Sequence, residues 1–281
     1  MWNLNGLVAV VTGAGSGIGQ ATAVALAREG CKLALNDRNP EGLDATVNLL
    51  DCGIEDVYTS AFDVTDAAAL QQFAVQTHDY FGRVDIVINN AGVALGPADS
   101  WDTSDEDWRW LMEINLFAVV NGTRAFMPYL IAAPKSAVCN VSSMYGLVGM
   151  LGNGAYCASK FAVRGFTETM RLELGVDHPH VLAMAIHPGG ISTNIAHAAK
   201  HPVGTSEEEH KDLTKKFHDL TLFGTPERAA RQIVRGLKSR SNRVVIGPDA
   251  TLFDVLARTI PQHYDSLVRV GAKWMGLQRH R

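Results

Sequence analysis

The chain has only four cysteines, Cys31, Cys52, Cys139 and Cys157, and none forms a close pair with metal-binding or redox spacing. Two of them fall in apolar runs typical of buried strands, so all are expected to be reduced packing residues. No uninterrupted apolar run approaches the roughly 18 residues that a membrane-spanning helix requires. No basic stretch precedes the first apolar run, Leu7 to Val11, which reads as a strand rather than a targeting segment. A cytoplasmic protein without a membrane span is expected. Repeats and low-complexity tracts are also missing. With a net charge of -4 the chain offers no general attraction to phosphate backbones. Its small basic clusters, at 238–243 and 279–281, read as a solvated loop and tail, and no nucleic-acid partner is expected.

What is present is a chain of 281 residues, 47% apolar, with 26 glycines spread along it. That fits one α/β domain with many tight turns. The expected organisation is a catalytic unit over 1–250 with a substrate lid at about 193–225, then a C-terminal helical extension over 251–281. The lid is a polar insertion with dispersed histidines. His197 and His201 have helical metal-ligand spacing, but Pro202 and the lack of a third ligand favour a solvated helix, and no metal site is expected. In the extension, apolar residues recur at helical intervals and are broken by Pro261.

The run Leu7 to Val11 is short and rich in β-branched residues, as in a strand buried on both faces. TGAGSGIG (12–19) follows and opens a helix that Gly30 ends. A helix N-terminus presents free N–H groups and a positive dipole end to a pyrophosphate. Gly13, Gly17 and Gly19 permit the tight turn, close ligand approach and close helix packing, with Ser16 and Ile18 beside them. The next strand, 32–36, ends at Asp37, where a dinucleotide fold places the carboxylate that holds the adenosine ribose. Asp37 favours NAD by repelling a 2′-phosphate, whereas the adjacent Arg38 leaves NADP open.

Further strand ends follow the same logic. Asp63 and Val64 come after a strand at 57–62, and Asp63 is read either as an adenine contact or as a turn cap. A strand at 84–88 runs into NNAG (89–92), in which Asn90 braces the sheet and Asn89, Ala91 and Gly92 border the cofactor. A helix is expected from Thr103 to about Leu130, with Asn115 in its apolar face as a hydrogen-bonding hub or a site residue. Then come a strand at 137–143, a helix carrying Tyr156 and Lys160, a strand at 181–186 and a PGG turn at 188–190. Tyrosine and lysine four apart on a helix share a face, so phenol and ammonium can converge. The regular alternation predicts an open parallel sheet with helices on both faces.

TGAGSGIG (12–19), NNAG (89–92), Asn115, Ser143, Tyr156, Lys160 and PGGIST (188–193) together resemble the short-chain dehydrogenase/reductase family in order and spacing, over about Leu4 to Gly247. The resemblance implies a Rossmann-type doubly wound sheet of about seven parallel strands in a single domain. It also implies a catalytic tetrad of Asn115, Ser143, Tyr156 and Lys160. In that pattern Lys160 also binds the nicotinamide ribose, Asn115 supports a water that links Lys160 to solvent, and Thr193 holds the carboxamide, with Pro188, Gly189 and Ile191 alongside. Family members are commonly homodimers or homotetramers built through the long helices around Asn115 and Tyr156.

The chemistry agrees with the resemblance. A hydride leaves a secondary alcohol only if the hydroxyl proton leaves too, and a free phenol with a pKa of about 10 needs nearby positive charge to act as the base. Ser143 would hold the substrate oxygen. The residues expected around the substrate, Val93, Leu95, Ser143, Met144, Tyr145, Leu147, Met150, Leu151 and Phe223, are largely apolar. They suit a hydrophobic secondary alcohol or ketone. A non-catalytic protein that senses NAD(H) is the alternative, and the intact tetrad argues against it.

Overall fold

The computed structural model describes residues 1–193, 195, 199–202 and 224–274, with 271–274 described by backbone alone. Most of the expected lid, and Phe223 with it, lies outside the described residues.

Seven parallel strands form one sheet: Val8–Thr12 (β1), Lys32–Asp37 (β2), Val57–Ala61 (β3), Ile86–Asn89 (β4), Ser136–Val141 (β5), Val181–Pro188 (β6) and Arg243–Ile246 (β7). Their order across the sheet is β3-β2-β1-β4-β5-β6-β7. The direction of winding reverses between β1 and β4. In open α/β sheets this is where the strand ends diverge and leave a crevice at their carboxyl side.

Every residue of β1, β4, β5 and β6 is buried, which accounts for their uninterrupted apolar runs. Successive residues serve opposite faces. Ala9, Val11, Ile86, Ile88, Cys139 and Met184 pack against Gly17–Arg28 (α1) and Pro226–Ser239 (α7), through Ala23, Leu26, Ile233 and Leu237. Val10, Val87, Val138 and Ala183 pack the other way. They meet Phe73 of Ala67–Phe81 (α3), Phe126 and Leu130 of Ala118–Ala132 (α5), and Met170 of Gly154–Asp177 (α6). All four cysteines are free thiols.

Helix starts follow local capping chemistry. Pro40–Val47 (α2) begins after Asn39, whose side chain accepts from Gly42 N. Asp66 accepts from Ala68 N and Ala69 N at the start of α3, the cap its position in the sequence predicts. Ser104 accepts from Asp107 N to open Asp105–Met112 (α4).

The single helix expected from 103 to 130 is interrupted. Glu113–Phe117 forms a π-helical turn between α4 and α5. Such turns accommodate one extra residue and recur at functional sites. Here it contains the buried Asn115. The extension folds as Pro248–Thr259 (α8) and Tyr264–Trp274 (α9), separated around Pro261. Among the described residues no helix is long and apolar enough to cross a membrane.

At the amino end of the sheet, buried Asp85 accepts from Val8 N at 2.9 Å and from Arg83 Nε and Nη2 at 2.8 and 2.6 Å. Asp85→Ala would strand the Val8 N–H inside the protein. Chemical denaturation should report a loss of about 1–3 kcal/mol, and an unchanged midpoint would show that this carboxylate does not anchor β1.

Candidate active site

The glycine loop fits against the turn after β4 because side chains are missing from it. Gly13 and Gly17 adopt left-handed φ values of 65° and 55°. A Cβ at Gly19 would run into the Gly13 carbonyl and the Asn90 amide. Asn90 Nδ2 donates to Thr12 O at 2.9 Å and to Gly13 O at 3.2 Å. Thr12 Oγ1 accepts from the backbone N–H groups of Asn90 and Ala91, each at 3.1 Å.

Asn89 departs from the sequence expectation. It is buried and turns away from the crevice, donating to Thr123 Oγ1 at 3.0 Å and Asn140 Oδ1 at 2.8 Å. Alternation at a strand tip sends neighbours to opposite sides, so Asn90 borders the crevice and Asn89 holds α5 to β5.

Asp37 ends β2 with its carboxylate already oriented: Oδ2 accepts from Gly15 N at 2.8 Å and Oδ1 from Asn39 N at 3.0 Å. Arg38 next to it is exposed. Asp63 Oδ1 accepts from Thr65 N and Thr65 Oγ1 at 3.0 and 2.8 Å, so its carboxylate also closes a local turn.

On the other side of the crevice, α6 carries Tyr156 and Lys160. Lys160 is buried, its Nζ donates to Val141 O at 3.1 Å, and burial pushes its pKa down to about 8. The ammonium nitrogen stands 5.7 Å from the centroid of the Tyr156 ring. Burial pushes the Tyr156 phenol up to about 12, while a hydrogen bond with Ser143 pulls in the opposite direction.

Ser143 lies just past β5 in extended backbone (φ -166°), and its Oγ accepts from Tyr145 N at 3.1 Å. Ser142 faces the opposite way, its Oγ donating to the Lys160 carbonyl at 2.8 Å. Asn115 lies one layer behind the crevice. Its Oδ1 accepts from Val93 N at 2.8 Å, and its Nδ2 donates to Val93 O at 3.0 Å and Ser159 Oγ at 3.2 Å. A Cβ built on Gly92 would stand 3.2 Å from Asn115 Oδ1 and 3.3 Å from Lys160 Nζ, so this glycine lets the turn close over both groups.

Most of these groups border one cavity of about 290 Å³, with Asn89 and Asn115 outside its lining. Its lining includes Gly13, Ser16, Gly17, Ile18, Asp37, Arg38, Asp63, Val64, Ala91, Gly92, Val93, Ser143, Tyr156, Lys160, Pro188, Gly189, Ile191 and Thr193. Asn90, from the NNAG turn, also lines it, as do Asn36, Phe62, Ile114, Val141, Ser142 and Ile195, which sequence reading did not assign to the crevice. Most flank the ends of strands or of motifs already recognised, so the carboxyl-end rule offered a signal for them.

The residues expected around the substrate divide. Val93 and Ser143 reach the cavity. Met144, Tyr145 and Met150 pack behind Tyr156, in a cluster with Cys157, Ala250 and Phe253. Leu95 is buried against Leu111 and Ala155 instead, and Leu147 is also buried. Leu151, beside the turn at Gly152 (φ 69°), is 51% exposed and does not line the cavity.

The sequence pattern of the short chain dehydrogenase family matches residues 7–203. SadH of Mycobacterium tuberculosis, named as an oxidoreductase, is 39% identical over 272 residues, covering 96% of this chain and 97% of its own. A short-chain dehydrogenase/reductase from Burkholderia phymatum, solved in complex with NAD, superposes with a TM-score of 0.80 at 28% identity, covering 100% of this chain and 98% of its own. A short chain dehydrogenase from Mycobacterium paratuberculosis bound to NAD gives a TM-score of 0.74 at 28% identity, over 89% of this chain and all (100%) of that one.

The Gly19 contact gives a direct test of the cradle. Gly19→Val should push the loop off Asn90 and abolish the binding of NADH followed by fluorescence titration. Binding at wild-type affinity would mean that the loop tolerates a side chain there.

Proposed function

The chain belongs to the short chain dehydrogenase family of oxidoreductases, and from that premise we propose that it transfers a hydride between NAD and a hydrophobic secondary alcohol or its ketone. The observation that carries this reading is one cavity bordered by the glycine loop and Asp37 and also by Ser143, Tyr156 and Lys160. The residues present fit a dinucleotide. The cradle excludes a Cβ at Gly19, helix α1 opens toward the cavity, and the Asp37 carboxylate is held ready for a ribose diol.

When bound, the nicotinamide supplies the hydride acceptor or donor. The chain's own groups handle the proton and the oxygen. In alcohol oxidation the hydroxyl proton passes to the Tyr156 oxygen; in carbonyl reduction Tyr156 returns it. Ser143 Oγ holds the substrate oxygen as its charge changes. A phenol pushed up to about 12 in the protein alone holds its proton, which suits the acid role in reduction. For oxidation the phenolate requires positive charge beside it, and Lys160 supplies this in its ammonium form. Asn115 fixes Val93 and Ser159 around that lysine.

The apolar lining by Val93, Ile114, Ile191 and Ile195 supports a lipophilic substrate. NAD is favoured over NADP by Asp37, and the two NAD-bound relatives fit the same choice. A homodimer or homotetramer through the long helices is part of the proposal, supported by the exposed Phe117, Phe161, Leu172 and Val176.

With a panel of aliphatic and aryl ketones, Tyr156→Phe should cut kcat by at least about a hundredfold while NADH affinity stays unchanged. Retained turnover would remove Tyr156 as the acid/base. In the same assay kcat/KM should favour NADH over NADPH, and Asp37→Ala should narrow or reverse that preference. A wild-type preference for NADPH would show that Arg38 governs the choice.

A further inference from the structure

We infer that His187 is a positioning residue for Ser143, holding the serine's carbonyl at the point where the strand ladder stops. The inference rests on the reading of Ser143 given above.

The last backbone link between β5 and β6 runs from Ser142 N to Ile186 O, at 2.8 Å. The parallel register would next require an N–H from position 188, which is Pro188 and has none. Pairing therefore ends one residue before the serine that the chemistry needs. The imidazole of His187 takes over as anchor: its Nδ1 lies 3.1 Å from the Ser143 carbonyl oxygen.

A carbonyl only accepts, so Nδ1 carries the hydrogen. The ring is fully buried, and burial together with the cations Arg243 and Arg164 keeps it neutral, with the Ser143 backbone contact and Glu168 acting in the opposite sense; its pKa is pushed down to about 4. A neutral ring with hydrogen on Nδ1 presents only a lone pair at Nε2, and that atom is buried without a partner among the described residues. The described hydrogen bonding of the ring is thus spent on Ser143 alone. A purely space-filling role at this buried position would be served better by an apolar side chain, because an unpaired polar atom costs stability.

What the bond constrains is the direction of the serine side chain. Ser143 sits in extended backbone between the end of β5 and the 3-10 turn Met144–Gly146. With its carbonyl fixed by His187, and its Oγ accepting from Tyr145 N at 3.1 Å, the hydroxyl is aimed into the cavity beside Tyr156. Releasing the carbonyl frees the peptide to rotate, and the hydroxyl with it. A small misplacement of a group that touches the reacting oxygen is expressed in turnover rather than in cofactor binding.

The test compares His187→Asn, His187→Gln and His187→Leu by steady-state kinetics on the best-reduced ketone of the panel, alongside NADH titration and thermal melting. Asn places its amide nitrogen where Nδ1 was, whereas Gln places it near Nε2. Leu and Gln should lower kcat about tenfold with NADH affinity unchanged, and Asn should recover most of the rate. In a Ser143→Ala background, His187→Leu should cost little more, because the residue it positions has lost its hydroxyl. Equal rates for Asn and Gln would overturn the inference, as would a Leu penalty undiminished by Ser143→Ala. If the Leu variant fails to fold, the Asn and Gln comparison still decides. A wild-type protein that binds NADH yet reduces no ketone would instead overturn the proposed function, and this inference with it.

Discussion

The amide of Asn90, donating to the carbonyls of Thr12 and Gly13 at 2.9 and 3.2 Å, ties together the carboxyl ends of β1 and β4. These are the two strands between which the sheet reverses its winding. Thr12 Oγ1, which accepts from the N–H groups of Asn90 and Ala91, reinforces that tie between the glycine loop and the turn at 89–92. With it they form one wall, and the cavity has a fixed edge from which Asp37 on one side and α6 on the other are placed. The arrangement depends on bare backbone, because a Cβ at Gly19 would occupy the space that the Asn90 amide needs.

The opposite wall is built at an energetic cost. Lys160 is buried and Tyr156 partly so, and desolvation drives their pKa values apart, down to about 8 for the ammonium and up to about 12 for the phenol. Each group alone is thus biased toward its neutral form. Ionised together, each would offset the other's desolvation, so proton movement at one is coupled to charge at the other. The surrounding contacts hold this pair in place without neutralising it: Val141 O and Ser142 Oγ engage the lysine's ammonium and its backbone carbonyl, and both partners come from the end of β5.

Much of this was legible in the sequence because it depends on residue type at fixed spacing. The glycine loop, Asp37 and the Tyr156–Lys160 pair needed only a strand-to-helix reading and the carboxyl-end rule to converge. Other features were hidden because they depend on which way a side chain leaves a strand tip or a turn. Asn89 and Asn90 are indistinguishable as letters, yet one braces α5 and the other the glycine loop. Leu151, one of the apolar residues expected around the substrate, is half exposed beside the turn at Gly152. The π-helical turn at Glu113–Phe117 leaves no mark in an apolar periodicity that spans it. His187 lies between the expected strand at 181–186 and the PGG turn, and its contact with Ser143 appears only when Pro188 is seen to end the β5–β6 ladder.

The extension beyond β7 shows the same division. Its two helices follow from apolar spacing and the break at Pro261, but their attachment is tertiary. Asp249, in the first turn of α8, accepts from Gly190 N at 2.6 Å and so grips the turn that follows β6. Asp254 on the same helix receives both terminal nitrogens of Arg243, at 2.6 and 3.1 Å. Phe253 and Ala250 join Met144, Tyr145 and Cys157 behind Tyr156, and Tyr264 Oη accepts from Gly149 N at 3.3 Å. One helix thus braces both the 188–190 turn and the segment after Ser143. Because both loops bordering the cavity lean on it, movement of α8 would be felt at Gly189 and at Tyr156 together. The extension thus buttresses the site from behind, although none of its described residues is among those that line the cavity.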